Sequence, residues 1–157
     1  MDMPIELPVI RDAREDYIAA LAAIFAQDEK GGHGDTADPA ALPVYLAAFH
    51  LIAESPDNRL FVVEFGGEVA GTAQVTFTTS LSGRGSTRMT IEVVQMRADM
   101  RGRGYGELLM RHCIELGREK GVRLVDLMSN AVRTDAHRFY ERLGFVKSHV
   151  GFKKKLG

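Results

Sequence analysis

The sequence predicts one α/β domain, residues 1–157, with a mixed sheet that is antiparallel at first and gains a parallel strand later. Three observations predict it. A chain of 157 residues fits one domain and can bury a real core. Strand and helix patterns follow one another in the order β-α-α-β-β-β-α-β-α-β, with room for one more strand at the end. A strand feeds the glycine-rich run "RGRGYG", then a helix and another strand, which is a parallel crossover. About four helices flanking a six- or seven-stranded sheet are expected.

The elements follow in order. "IELPVIR" is a short apolar strand. "DAREDYIAALAAIFAQD" reads as a helix with Asp12 as N-cap and Glu15 completing a capping box; Tyr17, Leu21, Ile24 and Phe25 form its apolar stripe. The polar, glycine-rich "EKGGHGDTADP" is a loop. "AALPVYLAAFHLIAES" is a second helix, with Pro43 near its start and Pro56 beyond its end. "RLFVVEF", the turn "GG" and "EVAGTAQVTFTT" form an antiparallel hairpin. After the loop "LSGRGS", "TRMTIEVVQM" is the next strand. Tyr105, Leu109, Cys113 and Leu116 then recur at helical spacing, and Gly121 ends that helix. "VRLVDLM" is a short buried strand, and "DAHRFYERL" a short helix closed by Gly144. "FVKSHVGFKKKL" completes the sheet as a bent strand or a hairpin around Gly151, with Lys153–Lys155 as a solvated strand end.

Composition excludes several classes. The net charge of −1 gives no global attraction to nucleic acid or anionic lipid. Cys113 is the one cysteine, so no internal disulfide forms, and it reads as a small core residue. The histidines lack ligand-like spacing, so no metal site is expected. No segment resembles a signal peptide or a membrane span, and a cytoplasmic location is expected by default.

"MRGRGYGELLM", residues 100–110, carries the chemistry. A strand feeding a glycine-rich turn and then a helix is the setting in which backbone N–H groups cradle phosphate, helped by the positive end of the helix dipole. Arg101 and Arg103 add formal charge. A dinucleotide fingerprint fails: the third glycine is missing, its places being held by Glu107 and Leu109. A Walker loop fails because no Gly-Lys-Ser/Thr is present.

"Arg101-x-x-Gly104-x-Gly106", after a strand and before a helix, resembles the acyl-CoA pyrophosphate loop of the GNAT N-acetyltransferases. "SNAVRTDAHRFYERLGF", residues 129–145, matches a second signature of that family through Asn130, Ala136, Tyr140, Gly144 and Phe145. The resemblance covers nearly the whole chain, and its tail is similar to the aminoalkylphosphonate and small-amine branch. It implies a GNAT-type fold and acetyl-CoA as cosubstrate. Arg101, Gly102, Arg103, Gly104, Tyr105 and Gly106 would hold the pyrophosphate. Gln95, Met96 and Ala98 would line the pantetheine arm, with a backbone N–H near Met96 polarising the acetyl carbonyl. Family members often carry Pro where this chain has Ala98. Asn130 would hydrogen-bond the pantetheine arm beside Ala136. Glu92 would take the amine's proton, a role that partial burial favours; the alternative is a strand residue facing solvent, or one paired with Arg84 or Arg88. Tyr140 would serve as general acid to the leaving thiolate; the alternative is a core aromatic.

The function that follows is acetyl transfer to the primary amine of a small molecule. A non-catalytic acyl-CoA sensor and a protein N-acetyltransferase are the alternatives. The acceptor pocket is expected from the Gly32-His33-Gly34 loop, the second helix, the "SLSGRGS" loop and the tail near His149. Asp28, Glu29, Asp35 and Asp38 could attract a cation there, or Arg84 and Arg88 could hold a phosphonate or carboxylate. A homodimer is the expected assembly.

Overall fold

The computed structural model describes residues 6–28 and 33–157. Five strands lie in the order β1-β2-β3-β4-β5. β1 (Val9–Asp12), β2 (Asn58–Phe65), β3 (Glu68–Thr79) and β4 (Thr87–Met96) pair antiparallel in turn. β5 (Leu124–Leu127) runs parallel to β4. The helices are α1 (Ile18–Ala26), α2 (Leu42–Glu54), α3 (Tyr105–Glu119) and α4 (Thr134–Arg142). Gly66 and Gly67 both take positive φ, 61° and 76°, so the β2–β3 turn matches the twist of its strands.

Alternation along the strands sends side chains to two faces. Phe61, Val63, Ala73, Val75, Met89 and Ile91 pack with Leu109, Met110 and Cys113 of α3. Val62 and Val69 face the other way, onto Tyr17, Ile18, Leu21 and Ile24, with Leu46 and Phe49 of α2 outside them. Thr72 is the buried polar side chain of the sheet, and its hydroxyl donates to the Phe61 carbonyl at 2.7 Å.

Two expectations change. Asp12 ends β1 instead of capping α1: it pairs with Phe61 across the sheet, and its carboxylate accepts from Arg59 at 2.9 and 3.0 Å. A single 3₁₀ turn, Glu15–Tyr17, precedes α1, with Arg14 at its N-cap. Among the described residues the sheet has five strands, not six or seven. Residues 146–157, including Lys153–Lys155, form neither the bent strand nor the hairpin. The physical reason is a want of partners, since this segment makes no backbone hydrogen bond to any described strand.

Candidate active site

The site is built where β4 and β5 part. Parallel pairing covers only Arg88–Ile91 against Leu124–Leu127. Beyond Ile91, β4 continues to Met96, still paired with β3 through Val94↔Ala73 and Met96↔Gly71. Its other edge, residues 92–96, has no backbone partner among the described residues. The β3–β4 register shifts at this point: Ile91 faces Val75 and Val93 faces Gln74, so Glu92 is the extra residue of a bulge. Glu92 is exposed, not half-buried as expected, and no described side chain pairs with it, Arg84 and Arg88 included. Gln95 and Met96 are half-buried. Met96 lies over Gly71, where a Cβ would come within 2.3 Å of its Sδ and 2.9 Å of the Gln95 carbonyl. Gly71 thus seats the site strand, and nothing in its sequence context marks it for this.

The "RGRGYG" run forms a cradle. Gly102 and Gly104 take φ of 75° and 84°, the left-handed conformation that glycine supplies most cheaply. Nothing lies within 4 Å of a Cβ built on either, so open space fronts the loop. Gly104 is the N-cap of α3 and offers no side-chain cap, so among the described residues no side chain caps the first-turn amides. Arg101 and Arg103 are exposed beside them. Tyr105 turns inward onto Phe65, with ring centroids 5.5 Å apart. A Cβ built on Gly106 would stand in ordinary contact with Met96 and Phe139, 3.9 Å from each. An anion with its phosphates on these amides and an extended arm along residues 92–96 fits this surface.

α4 closes the other side. Tyr140 is half-buried between Phe139 and Phe145, with centroids 5.4 and 6.2 Å away. Burial pushes its phenol pKa up, and Arg133 offsets part of that rise. Ala136 is half-buried one turn earlier. Asn130 organises the turn before the helix: its Oδ1 accepts from Val132 N at 3.1 Å, and its carbonyl meets Arg133 N and His137 Nε2, both at 3.0 Å. That spends the side-chain oxygen and leaves the amide nitrogen.

The end of α1 supplies two contacts that sequence reasoning missed. Gln27 Oε1 accepts the Ala98 N–H at 2.9 Å, satisfying the donor that a proline there would lack. Asp28 binds Arg133 at 2.7 and 3.0 Å, a half-buried ion pair across 105 residues. Adjacent residues at the C-terminal end of α1, Gln27 and Asp28, therefore hold the segment after β4 and the segment before α4. No local pattern signals partners so distant in sequence.

Several expected acceptor groups are already engaged. Asp28 holds Arg133, Asp35 accepts from the Tyr45 hydroxyl at 2.8 Å, and Asp38 caps Ala40 N at 3.0 Å. Arg88 pairs with Asp126 at 3.5 Å and reaches Ser80 Oγ at 3.3 Å. Arg84 stands exposed with φ of 61°, an unusual conformation for a residue with a side chain, in the β3–β4 loop. His149 is exposed, and its Nδ1 lies 2.6 Å from Ser148 Oγ. Glu29 and Gly32 lie outside the described residues. An open hollow between α1 and α2, lined by Glu15, Asp16, Ala19, Leu42 and Leu46, includes none of the site residues. Among the described residues no metal-binding cluster is found, and no helix is long and apolar enough to cross a membrane.

Comparison with known proteins finds relatives in sequence and in fold. Streptothricin acetyltransferase of Streptomyces lavendulae is 36% identical over 59% of this chain and 47% of its own length. Aminoalkylphosphonate N-acetyltransferase of Salmonella typhimurium is 44% identical over 36% of this chain and 37% of its own. The matches thus span less than half of either relative. A crystal structure described as a transcriptional regulator from Bacillus halodurans C-125 is 37% identical, with a TM-score of 0.91, covering 96% of this chain and all of that one. The acetyltransferase (GNAT) family model matches residues 18–145, and the chain belongs to that family.

Proposed function

We propose that the chain transfers the acetyl group of acetyl-CoA to the primary amine of a small molecule, by direct attack in a ternary complex. The carrying observation is the unpaired edge of β4 over residues 92–96, leading to an uncapped helix N-terminus entered through left-handed glycines. The named relatives are described as acetyltransferases of streptothricin and of aminoalkylphosphonate, which supports a small amine as acceptor.

In this reading the amides at 101–106, with Arg101 and Arg103, hold the pyrophosphate, and Gln95, Met96 and Asn130 line the thioester arm beside Ala136. Holding the remote phosphates positions the reacting carbonyl. Ala98 contributes backbone shape, because its N–H is committed to Gln27. The amine nitrogen attacks the thioester carbon, a C–N bond forms and the C–S bond breaks. Glu92 takes the proton released by the amine, directly or through water. Tyr140 gives its proton to the departing sulfur; burial raises its pKa, which keeps the phenol protonated through neutral pH.

A second reading, an acyl-CoA-binding regulator without turnover, draws on the description of the Bacillus halodurans protein. Tyr140→Phe separates the two. The ring and its packing stay, so coenzyme A affinity and melting temperature should hold near wild type. Turnover should fall on the order of ten- to a thousandfold. A fully active variant removes the general-acid role, and no amine-dependent turnover in either protein favours the regulator.

A further inference from the structure

α4 has few holds on the rest of the molecule. The strand before it has four residues, and no residue after Phe145 makes a backbone hydrogen bond to another described element. Its apolar contacts with the core come from Phe139, Tyr140, Leu143 and Phe145, in its second half and just beyond its end. At its start, the polar contacts of Asn130, Val132, His137 and Arg138 stay within residues 130–138. Among the described residues the exception is Arg133, whose guanidinium meets the Asp28 carboxylate at 2.7 and 3.0 Å. Both side chains of this pair are placed against their own helices. Arg133 is the N-cap of α4, at the positive end of the helix dipole, and its side chain caps nothing. Asp28 follows Ala26 and Gln27 at the negative end of α1, its N–H donating to the Phe25 carbonyl at 3.1 Å. Exchanging the two residue types would suit both helix ends. The arrangement present costs local stability, and what it gains is a tie between α1 and α4. A local rule broken for a distant contact is expected where function sets the geometry.

We propose that Asp28 and Arg133 are positioning residues, whose ion pair sets α4, and with it the Tyr140 hydroxyl, relative to the cradle. α1 is a firm anchor for this, because Leu21 and Ile24 are buried against the sheet. Tyr140 comes about two turns after Arg133, on the same face of α4. The two are close enough to interact: burial raises the Tyr140 pKa, and the charge of Arg133 offsets part of that rise. Beside Asp28, Gln27 accepts the Ala98 N–H at 2.9 Å, at the entry to the cradle. Consecutive residues at one helix end thus fix both walls of the seam. A misplacement of about 1 Å can cost on the order of a hundredfold in rate, so a tie at the root of a short helix is enough to matter. This role rests on the general-acid reading of Tyr140 and adds what holds that hydroxyl in place.

A double-mutant cycle with Tyr140→Phe tests it. Turnover is measured with acetyl-CoA and whichever of the small amines, aminophosphonates and amino acids gives the fastest thiol release. Asp28→Asn keeps the shape and removes the charge. Arg133→Ser cuts the tie and gives α4 a preferred cap. The double variant Asp28→Asn/Arg133→Ser leaves no unpaired charge, so the test survives if a single variant folds poorly. Circular dichroism and coenzyme A affinity should stay near wild type, while kcat falls on the order of ten- to a hundredfold. In the Tyr140→Phe background the same changes should cost at most about twofold, because no hydroxyl is left to place. Without any ligand, Asp28→Asn should speed hydrogen exchange of the α4 amides and leave those of α3 unchanged. Equal losses in both backgrounds, unchanged exchange in α4, or wild-type kcat beside an impaired Tyr140→Phe overturn the positioning role and leave Tyr140 as the acid. A fully active Tyr140→Phe, or a wild type that releases no thiol with any of these amines, removes the underlying reading and this role with it.

Discussion

Cys113, wholly buried under the sheet, is the residue on which burial acts most strongly, pushing its thiol from 9.0 up to about 12. The folded chain therefore keeps this proton to higher pH than the unfolded chain does. Its contribution to stability is complete below pH 9.0 and is lost as pH rises toward 12. Tyr140, raised by the same cause, acts in the same direction. The free energy of unfolding should fall steeply above pH 9, and Cys113→Ala should lessen that slope by up to about 1.4 kcal/mol per pH unit, read from denaturant titrations across pH. An unchanged alkaline slope in the variant would show that the thiol is not held protonated. At this scale much was legible. Glycines at 102 and 104 anticipate positive φ, and Tyr140 stands on the expected helix. The exposure of Glu92 was not legible, because it follows from a bulge set by pairing with β3. The engagement of Ala98 by Gln27, 71 residues away, was hidden for the same reason: it is a tertiary fact with no local signature.

Elements were readable where one pattern ruled. β4 falls at Thr87–Met96, as its apolar run implied, and α3 starts at Tyr105 directly after Gly104. The start of α1 was misread because a good capping residue, Asp12, is claimed by Arg59 on the neighbouring strand. The last strand was misread because apolar residues at 146, 150 and 152 mark a segment able to pair without saying with which edge. The loop-to-α3 unit carries the sharpest element-level prediction. Gly104→Asp places a carboxylate in the open space before the helix and forces a side chain to φ near 84°. The backbone strain costs about 1–2 kcal/mol, which a core of this size tolerates. Calorimetric affinity for coenzyme A should drop on the order of a hundredfold or more. A folded variant that binds coenzyme A normally would remove the cradle from the account.

The whole molecule is a sheet with helices on both faces, split along one seam between β4 and β5. The end of α1 reaches across that seam, through Gln27 to Ala98 and Asp28 to Arg133. Family membership rests on this architecture and on the matched residues 18–145. The acceptor is what the chain leaves least determined, since Asp28, Asp35, Asp38 and Arg88 are each committed to partners. Among the described residues, Glu92 at the bulge is exposed beside the seam, and the proposed base role would suit an acceptor that approaches as a cation. The central claim is that the seam binds acetyl-CoA and delivers its acetyl group to an amine. Thiol release from acetyl-CoA, measured across small amines, aminophosphonates and amino acids, tests it most directly. The account predicts release that depends on the amine, saturates with it and yields the N-acetyl product; a folded chain that binds coenzyme A and releases no thiol with any of these amines would contradict it.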